Sequence, residues 1–317
     1  MSAQDSSKQD IDCLIIGGGP AGLSVATALA RQLYQAVVFD SGRYRNEAAS
    51  HMHNVATWDH RSPSEYRETA RKDILDRYDT IHFENTEIVS VERIASGHFA
   101  AKDATGRSWV GKKLVLATGS RDVFPDTPGY ADCWATGIFG CLFCHGYEDR
   151  GAKSAGVLAT GENIALGPTI VVARMAKRLA EDVVIYTDGD EALADEYRRV
   201  LSKSHIIVDA RPIASLEKEK LGANVTVHFK DQSKKTEGFL VHRPKMELTG
   251  PFARQLGLEL TATGDIKVTE PMYSTSVPGV FAAGDCATQM KAVVQAMATG
   301  AFCAGGVSAA LTSEMYG

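Results

Sequence analysis

The stretch from Ile11 to Asp40 constrains this chain more than any other. An apolar run, Ile11 to Ile16, meets Gly17-Gly18-Gly19-Pro20-Ala21-Gly22 at once, and a helical pattern follows from Ala21 to Leu33. That order is strand, glycine turn, helix. Glycines at 17, 19 and 22 have the spacing of a dinucleotide fingerprint. The first makes a tight turn, the second admits a pyrophosphate to the backbone, and the third lets helix and strand pack closely. A second strand, Ala36 to Asp40, ends in an acid eighteen residues past Gly22, placed to accept hydrogen bonds from an adenosine ribose.

At 317 residues the chain suggests about two domains, large enough to bury a core without disulfide staples. A net charge of -5 offers no basic surface for nucleic acid, and the basic residues between Arg67 and Arg77 are interrupted by acids, as on a solvated helix face. The residues from Met1 to Asp10 are polar, so no secretory signal is expected, and no apolar run reads as membrane-spanning. Six cysteines without an export signal imply reduced thiols in a cytoplasmic setting, where a disulfide is more often catalytic than structural.

Two of those cysteines lie in Gly140-Cys141-Leu142-Phe143-Cys144-His145-Gly146. A Cys-x-x-Cys is half of a zinc site, a redox pair or two core residues. Zinc needs two further ligands at matching spacing, and Cys13, Cys133, Cys286 and Cys303 form no second pair of that kind. Cys13 and Cys303 read as core; Cys133 and Cys286 read as potentially accessible, without a partner.

Between Ser41 and His60 no periodicity holds, and a long loop carries Arg45, Asn46, His51, His53 and Trp58. Loops of this length in compact domains tend to be functional. His51 and His53 fit polar loop residues near a cofactor better than a metal pair, and no metal is expected. Ser62-Pro63-Ser64-Glu65 has the cap, proline and acid that start a helix, run here to about Arg77. Alternating segments at Thr86 to Ile94 and Gly97 to Lys102, closed by Lys113 to Ala117, predict a small antiparallel insertion feeding a buried strand. That strand ends in Ala117-Thr118-Gly119-Ser120.

The N-terminal glycine turn, the mid-chain Ala117-Thr118-Gly119, the Cys-x-x-Cys, a second dinucleotide-like unit and Val280-Phe281-Ala282-Ala283-Gly284-Asp285 together resemble the low-molecular-weight thioredoxin reductase family over nearly the whole chain. The resemblance implies an α/β fold of two Rossmann-like three-layer domains, with an FAD domain split by an inserted, degenerate nicotinamide-binding-like domain. The implied boundaries are 1–122 and 246–317 for the FAD domain and 123–245 for the insert. It also implies FAD held by Gly17, Gly19, Pro20, Ala21, Gly22, Asp40, Arg45, Asn46, His53, Ala117, Thr118, Gly119, Gly284, Asp285 and Gln295. A homodimer is expected on the same ground.

The insert departs from the pattern. Ser154 to Ala159 reads as its first strand and Pro168 to Glu181 as its helix, with Pro168 at the first helical position, but no G-x-G-x-x-G can be laid on residues 160–167. Glu162 adds a negative charge where a pyrophosphate would lie. The second strand, Val183 to Tyr186, runs into Asp188 and Asp190, where a 2′-phosphate needs arginines. At Leu240-Val241-His242-Arg243-Pro244 bulky polar residues stand where the family re-enters the FAD domain through small ones. With the nicotinamide site decayed, electrons come from elsewhere, most simply from the thiol substrate. His145, in place of the aspartate usual after the second cysteine, is similar to the FAD-dependent dithiol oxidases that close disulfides in small natural products such as gliotoxin and holomycin. That resemblance implies Cys144 toward the flavin, Cys141 toward a small-molecule dithiol of the epidithiodiketopiperazine kind, His145 as base, and molecular oxygen reduced to hydrogen peroxide. A reductase driven by NADPH or by a protein donor is the alternative.

Overall fold

A computed structural model describes residues 11–161 and 165–317. Glu162, to which a charge effect was assigned, lies outside the described residues. In chain order the elements begin with β1 (Ile11–Ile16), α1 (Pro20–Ala30), β2 (Ala36–Phe39), α2 (Pro63–Arg77), β3 (Ile81–Glu84), β4 (Ile88–Arg93), β5 (Phe99–Asp103) and β6 (Ser108–Leu116). There follow β7 (Ser120–Val123), α3 (Tyr130–Cys133), β8 (Ile138–Phe139), β9 (Ala152–Leu158), α4 (Leu166–Ala176), β10 (Ala180–Tyr186), α5 (Glu191–Val200) and β11 (Ile206–Asp209). The chain continues through β12 (Ile213–Lys218), β13 (Val225–Phe229), β14 (Lys234–Glu237), β15 (Leu240–Val241) and β16 (Lys245–Leu248). It closes with α6 (Phe252–Leu256), β17 (Val280–Ala282), a 3-10 turn at Gly284–Cys286, and α7 (Val293–Tyr316).

Two compact units result. The first holds residues up to Glu47, Ser62–Arg121 and Glu247–Gly317; the second holds Ala48–Arg61 and Asp122–Met246. The segment Ala48–Arg61 is thus part of the second unit, whereas the sequence reading left it in the FAD domain. The physical reason is a set of hydrogen bonds from this segment to the Cys-x-x-Cys turn, described below.

In the first unit the sheet order is β3-β2-β1-β6-β5-β4, with β17 also paired to β6. β1 pairs in parallel with β2 and β6, while β4, β5 and β6 run antiparallel, which is the expected insertion feeding a buried strand. One face of the sheet is covered by α1 and α7, which bury Leu23, Val25, Leu29, Cys303, Val307 and Leu311 together. Each such aliphatic side chain adds about 1.5–3 kcal/mol by leaving water. α7 is 24 residues long and apolar enough, by length and composition, to cross a membrane, an apolar run the sequence reading passed over. Its buried residues pack in that core, and Gly300 faces the Ala21 carbonyl so closely that a Cβ would overlap it. α2 begins as expected: Pro63 is at the first position and the Ser62 hydroxyl accepts from the Ser64 and Glu65 amides.

The second unit has a sheet of order β11-β10-β9-β15-β8 and a smaller one of order β12-β13-β14. α4 starts at Leu166, so Pro168 is its third residue and not its first, and it ends at Ala176, giving the chain over to β10 at Ala180. Apolar periodicity alone carried the expected helix to Glu181, but Lys177 to Leu179 close it with backbone bonds to Ala173, Met175 and Ala176. β15 and the residue after it are core: His242, expected as a bulky polar replacement, is buried and meets the Tyr130 hydroxyl through Nδ1 at 2.7 Å.

Candidate active site

In the first unit the glycine turn is built as the spacing demands. Gly17 has φ +119°, and a Cβ there would overlap the Ala117 carbonyl; a Cβ on Gly22 would overlap the Gly17 carbonyl. Around Gly19 the space is open. This residue caps α1, Pro20 follows at the first position, and no side chain caps the helix, so its N-terminal amides and dipole face that open space. A helix end of this kind receives a pyrophosphate.

The remaining expected residues of this unit gather by backbone geometry. Ala117 follows β6 and bonds to Ile16; Gly119 accepts from the Thr249 amide. Gly284, at φ +77°, lies so near the Ala21 methyl that a Cβ would meet it at 2.8 Å, and its amide donates to Thr299 Oγ1. The same hydroxyl donates to the Gln295 carbonyl, which ties Gln295 in the first turn of α7 to the turn that carries Asp285. Asp285 accepts from Arg45 at 3.2 Å, and Asn46 accepts from Arg67 at 3.2 Å. Asp40 accepts from the Gly42 amide and from the Tyr44 hydroxyl at 2.6 Å. Tyr44, Arg67 and Arg71 line an open cleft of about 260 Å³ with Gly18 and Asp40. Sequence reasoning missed these three; the cation–ring stack of Arg67 on Tyr44 that organises them bridges a loop and a helix and has no local pattern.

The second unit carries the cysteines. β8 delivers Phe139, and after Gly140 the chain makes a tight turn in which the amides of Cys144 and His145 both donate to the Cys141 carbonyl. That turn brings the sulfurs together, and Cys141 and Cys144 form a disulfide with Cα atoms 5.3 Å apart. The His145 ring stacks on Phe139, centroids 5.2 Å apart and planes within 11°. Its Nε2 is buried and has no hydrogen-bond partner among the described residues. Burial lowers the pKa of this imidazole below its ordinary value, the nearby His53 lowers it further, and Glu148 opposes both.

His53, expected among the cofactor residues, belongs to this unit. Its Nδ1 lies 2.7 Å from the Cys144 carbonyl, and Asn54 Nδ2 donates to the Phe143 carbonyl at 2.5 Å. The other cysteines, Cys13, Cys133, Cys286 and Cys303, are buried. Cys133 and Cys286, expected as potentially accessible, are fully buried, with the Cys133 thiol pushed up to about 11 and Cys286 raised, both chiefly by burial.

The carboxylates after β10 also differ from expectation. Asp188 accepts from the Ile213 amide at 2.6 Å, and Asp190 caps α5 by accepting from the Leu193 amide. Both serve the local fold.

The profile of the pyridine nucleotide-disulphide oxidoreductases matches residues 11–300. The chain belongs to that family. Over 305 residues it is 45% identical to a protein of Leptosphaeria maculans named thioredoxin reductase sirT, covering 94% of this chain and 93% of that one. Over 306 residues it is 46% identical to thioredoxin reductase aclD of Aspergillus oryzae, covering 96% and 97%. Among solved structures, that of HlmI superposes with a TM-score of 0.87 at 30% identity, covering 96% of this chain and 94% of that chain. The family places the protein among enzymes that act on thiols and disulfides with FAD as cofactor. The open N-terminus of α1, the acceptor at Asp40 and the turn at Gly284 fit that dinucleotide.

Proposed function

We propose that this member of the family is a dithiol oxidase, closing an intramolecular disulfide in a small-molecule dithiol through Cys141 and Cys144, with molecular oxygen as the final acceptor. The observation that carries the reading is the redox turn: a closed disulfide followed directly by an imidazole whose buried Nε2 meets no hydrogen-bond partner among the described residues. The wording of that turn, with His145 after the second cysteine, supports a small dithiol of the epidithiodiketopiperazine kind.

In this reading a substrate thiolate attacks Cys141 Sγ. The Cys141–Cys144 bond breaks and Cys144 leaves as a thiolate. The second substrate thiol loses its proton and attacks the substrate sulfur bound to Cys141. A cyclic disulfide departs, Cys141 is released, and two electrons have passed from substrate to the pair. FAD, when bound, supplies the acceptor that reoxidises the pair and delivers the electrons to oxygen, giving hydrogen peroxide. His145 takes a thiol proton in the first exchange. Its lowered pKa favours the neutral ring, the form able to accept a proton.

Cys141 is assigned the attack because the Cys144 side of the turn is held by His53 and Asn54 through the Cys144 and Phe143 carbonyls. Labelling tests this order. In Cys144→Ser, the remaining Cys141 should form a mixed disulfide with a pyridyl disulfide probe several times faster than Cys144 does in Cys141→Ser, read by intact-protein mass. Faster labelling of Cys144 would reverse the roles.

The second reading is a nicotinamide-driven disulfide reductase, favoured by the names carried by the relatives. Against it stand Asp188 and Asp190, two carboxylates after β10, where a 2′-phosphate on the second strand calls for arginine.

A further inference from the structure

The segment from Ala48 to Arg61 is closed on itself by an antiparallel bridge between Met52 and Arg61, with the Met52 amide donating to Arg61 and the His60 amide donating to Met52. This closure sets three imidazoles side by side. His51 stacks on His60 with centroids 4.3 Å apart, and His53 lies 5.3 Å from His60. His60 has φ +57°, so its ring direction is set by the bridge against local backbone preference.

The nitrogen atoms are aimed. His53 Nδ1 is 2.7 Å from the Cys144 carbonyl oxygen, which accepts and cannot donate, so Nδ1 carries the proton. In the neutral ring Nε2 then presents a lone pair. A backbone carbonyl on the far nitrogen is how ligating histidines are commonly held. The lone pair meets His60 Nδ1 at 3.0 Å, and Glu148 Oε1 lies 3.5 Å from the first nitrogen and 3.7 Å from the second. Ligand atoms bound at about 2.0–2.1 Å around tetrahedral zinc stand about 3.3 Å from one another. The three atoms therefore already trace, within a few tenths of an ångström, one face of such a tetrahedron. Two imidazoles and a carboxylate are also a donor set that suits this ion.

We propose that His53, His60 and Glu148 form a site for a divalent cation of the zinc class beside the redox disulfide, with the fourth position open to solvent. All three residues belong to one unit, so the site needs nothing from outside it. A bound cation ties the closed segment to the residues just after Cys144. It also sets positive charge one imidazole ring away from the Cys144 backbone, where it favours the thiolate of the reduced pair.

Cobalt(II) serves as the probe, on the full-length flavoprotein freed of metal by dialysis against a chelator. Titration should show saturable binding of one equivalent per chain with the visible ligand-field bands of four-coordinate cobalt, displaced by one equivalent of zinc. His60→Ala and Glu148→Gln alter exposed side chains and should keep the wild-type flavin content while each loses more than about tenfold in cobalt affinity. His51→Ala removes the stacked neighbour without touching a ligand atom and should bind cobalt as the wild type does. Absence of saturable binding, or equal affinity in wild type, His60→Ala and Glu148→Gln, overturns the site. So does a loss in His51→Ala as large as in the other two, which would make the effect one of segment packing.

Discussion

The chain contains two strand–turn–helix–strand units, and they diverge at the turn. In β1-α1-β2 two glycines are demanded by backbone atoms: the Ala117 carbonyl faces Gly17 and the Gly17 carbonyl faces Gly22, with open space left at Gly19. In β9-α4-β10 the helix begins at Leu166 behind an Ala165 cap, and a Cβ on Gly161 or Gly167 would meet nothing among the described residues. Open space alone does not separate the two turns, since Gly19 is open as well; what the second turn lacks is the pair of backbone-crowded glycines on either side of it. The acids after the second strands diverge in the same way. Asp40 accepts from the Gly42 amide and the Tyr44 hydroxyl yet lines an open cleft, whereas Asp188 accepts from the Ile213 amide and Asp190 caps α5. The contrast teaches that a dinucleotide site is legible in what its glycines must avoid.

The largest effect that would break this comparison is steric. Gly22→Ala drives a methyl into the Gly17 carbonyl and should cost on the order of 4 kcal/mol, with most of the purified protein lacking flavin. Gly167→Ala, in open space inside α4, should instead gain about 0.5–1 kcal/mol and keep a full complement of FAD. Thermal melts and flavin released on denaturation give both values. Equal losses at the two positions would abolish the distinction.

A second effect is kinetic. Mixed anaerobically, NADPH should bleach the flavin far more slowly than an equal concentration of dithiothreitol does, because β10 is followed by Asp188 and Asp190, whereas a 2′-phosphate after the second strand calls for arginine. Rapid bleaching by NADPH would return the protein to the reductase reading.

The smallest effect is a pH dependence of stability in the second unit. Burial lowers the pKa of His242, although its contact with the Thr160 backbone acts the other way. The unfolded chain therefore takes up this proton first. Its contribution is fully present above about pH 6.5 and is lost as pH falls from there through the lower folded value. Melting temperatures between pH 5 and 8 should fall less on acidification in His242→Gln than in wild type. Parallel curves would remove His242 from the account.

How much of this was readable in advance follows the same physics. Strand, glycine turn, helix and acid could be read because hard contacts fix both residue type and spacing, and Ser62-Pro63 could be read because a cap is local. The end of α4 could not, since Lys177 to Leu179 continue an apolar period while the backbone turns. The burial of Cys133 and Cys286 depends on neighbours far along the chain. His53 was legible as a loop residue near a cofactor, but its place against Cys144, ninety-one residues away, rests on a closure of residues 48–61 that has no periodic signature. Asp188 and Asp190 were visible as charges. Their partners, one of them in β12, were not.

The central claim is that electrons enter from a dithiol through Cys141 and Cys144 and leave to oxygen. An oxygen electrode tests it with dithiothreitol as the cyclisable dithiol and no nicotinamide present. The account predicts steady oxygen consumption by the wild type with one hydrogen peroxide formed per disulfide closed, and loss of that consumption in Cys141→Ser and in Cys144→Ser, both retaining FAD. Oxygen uptake by both serine variants at the wild-type rate would contradict it.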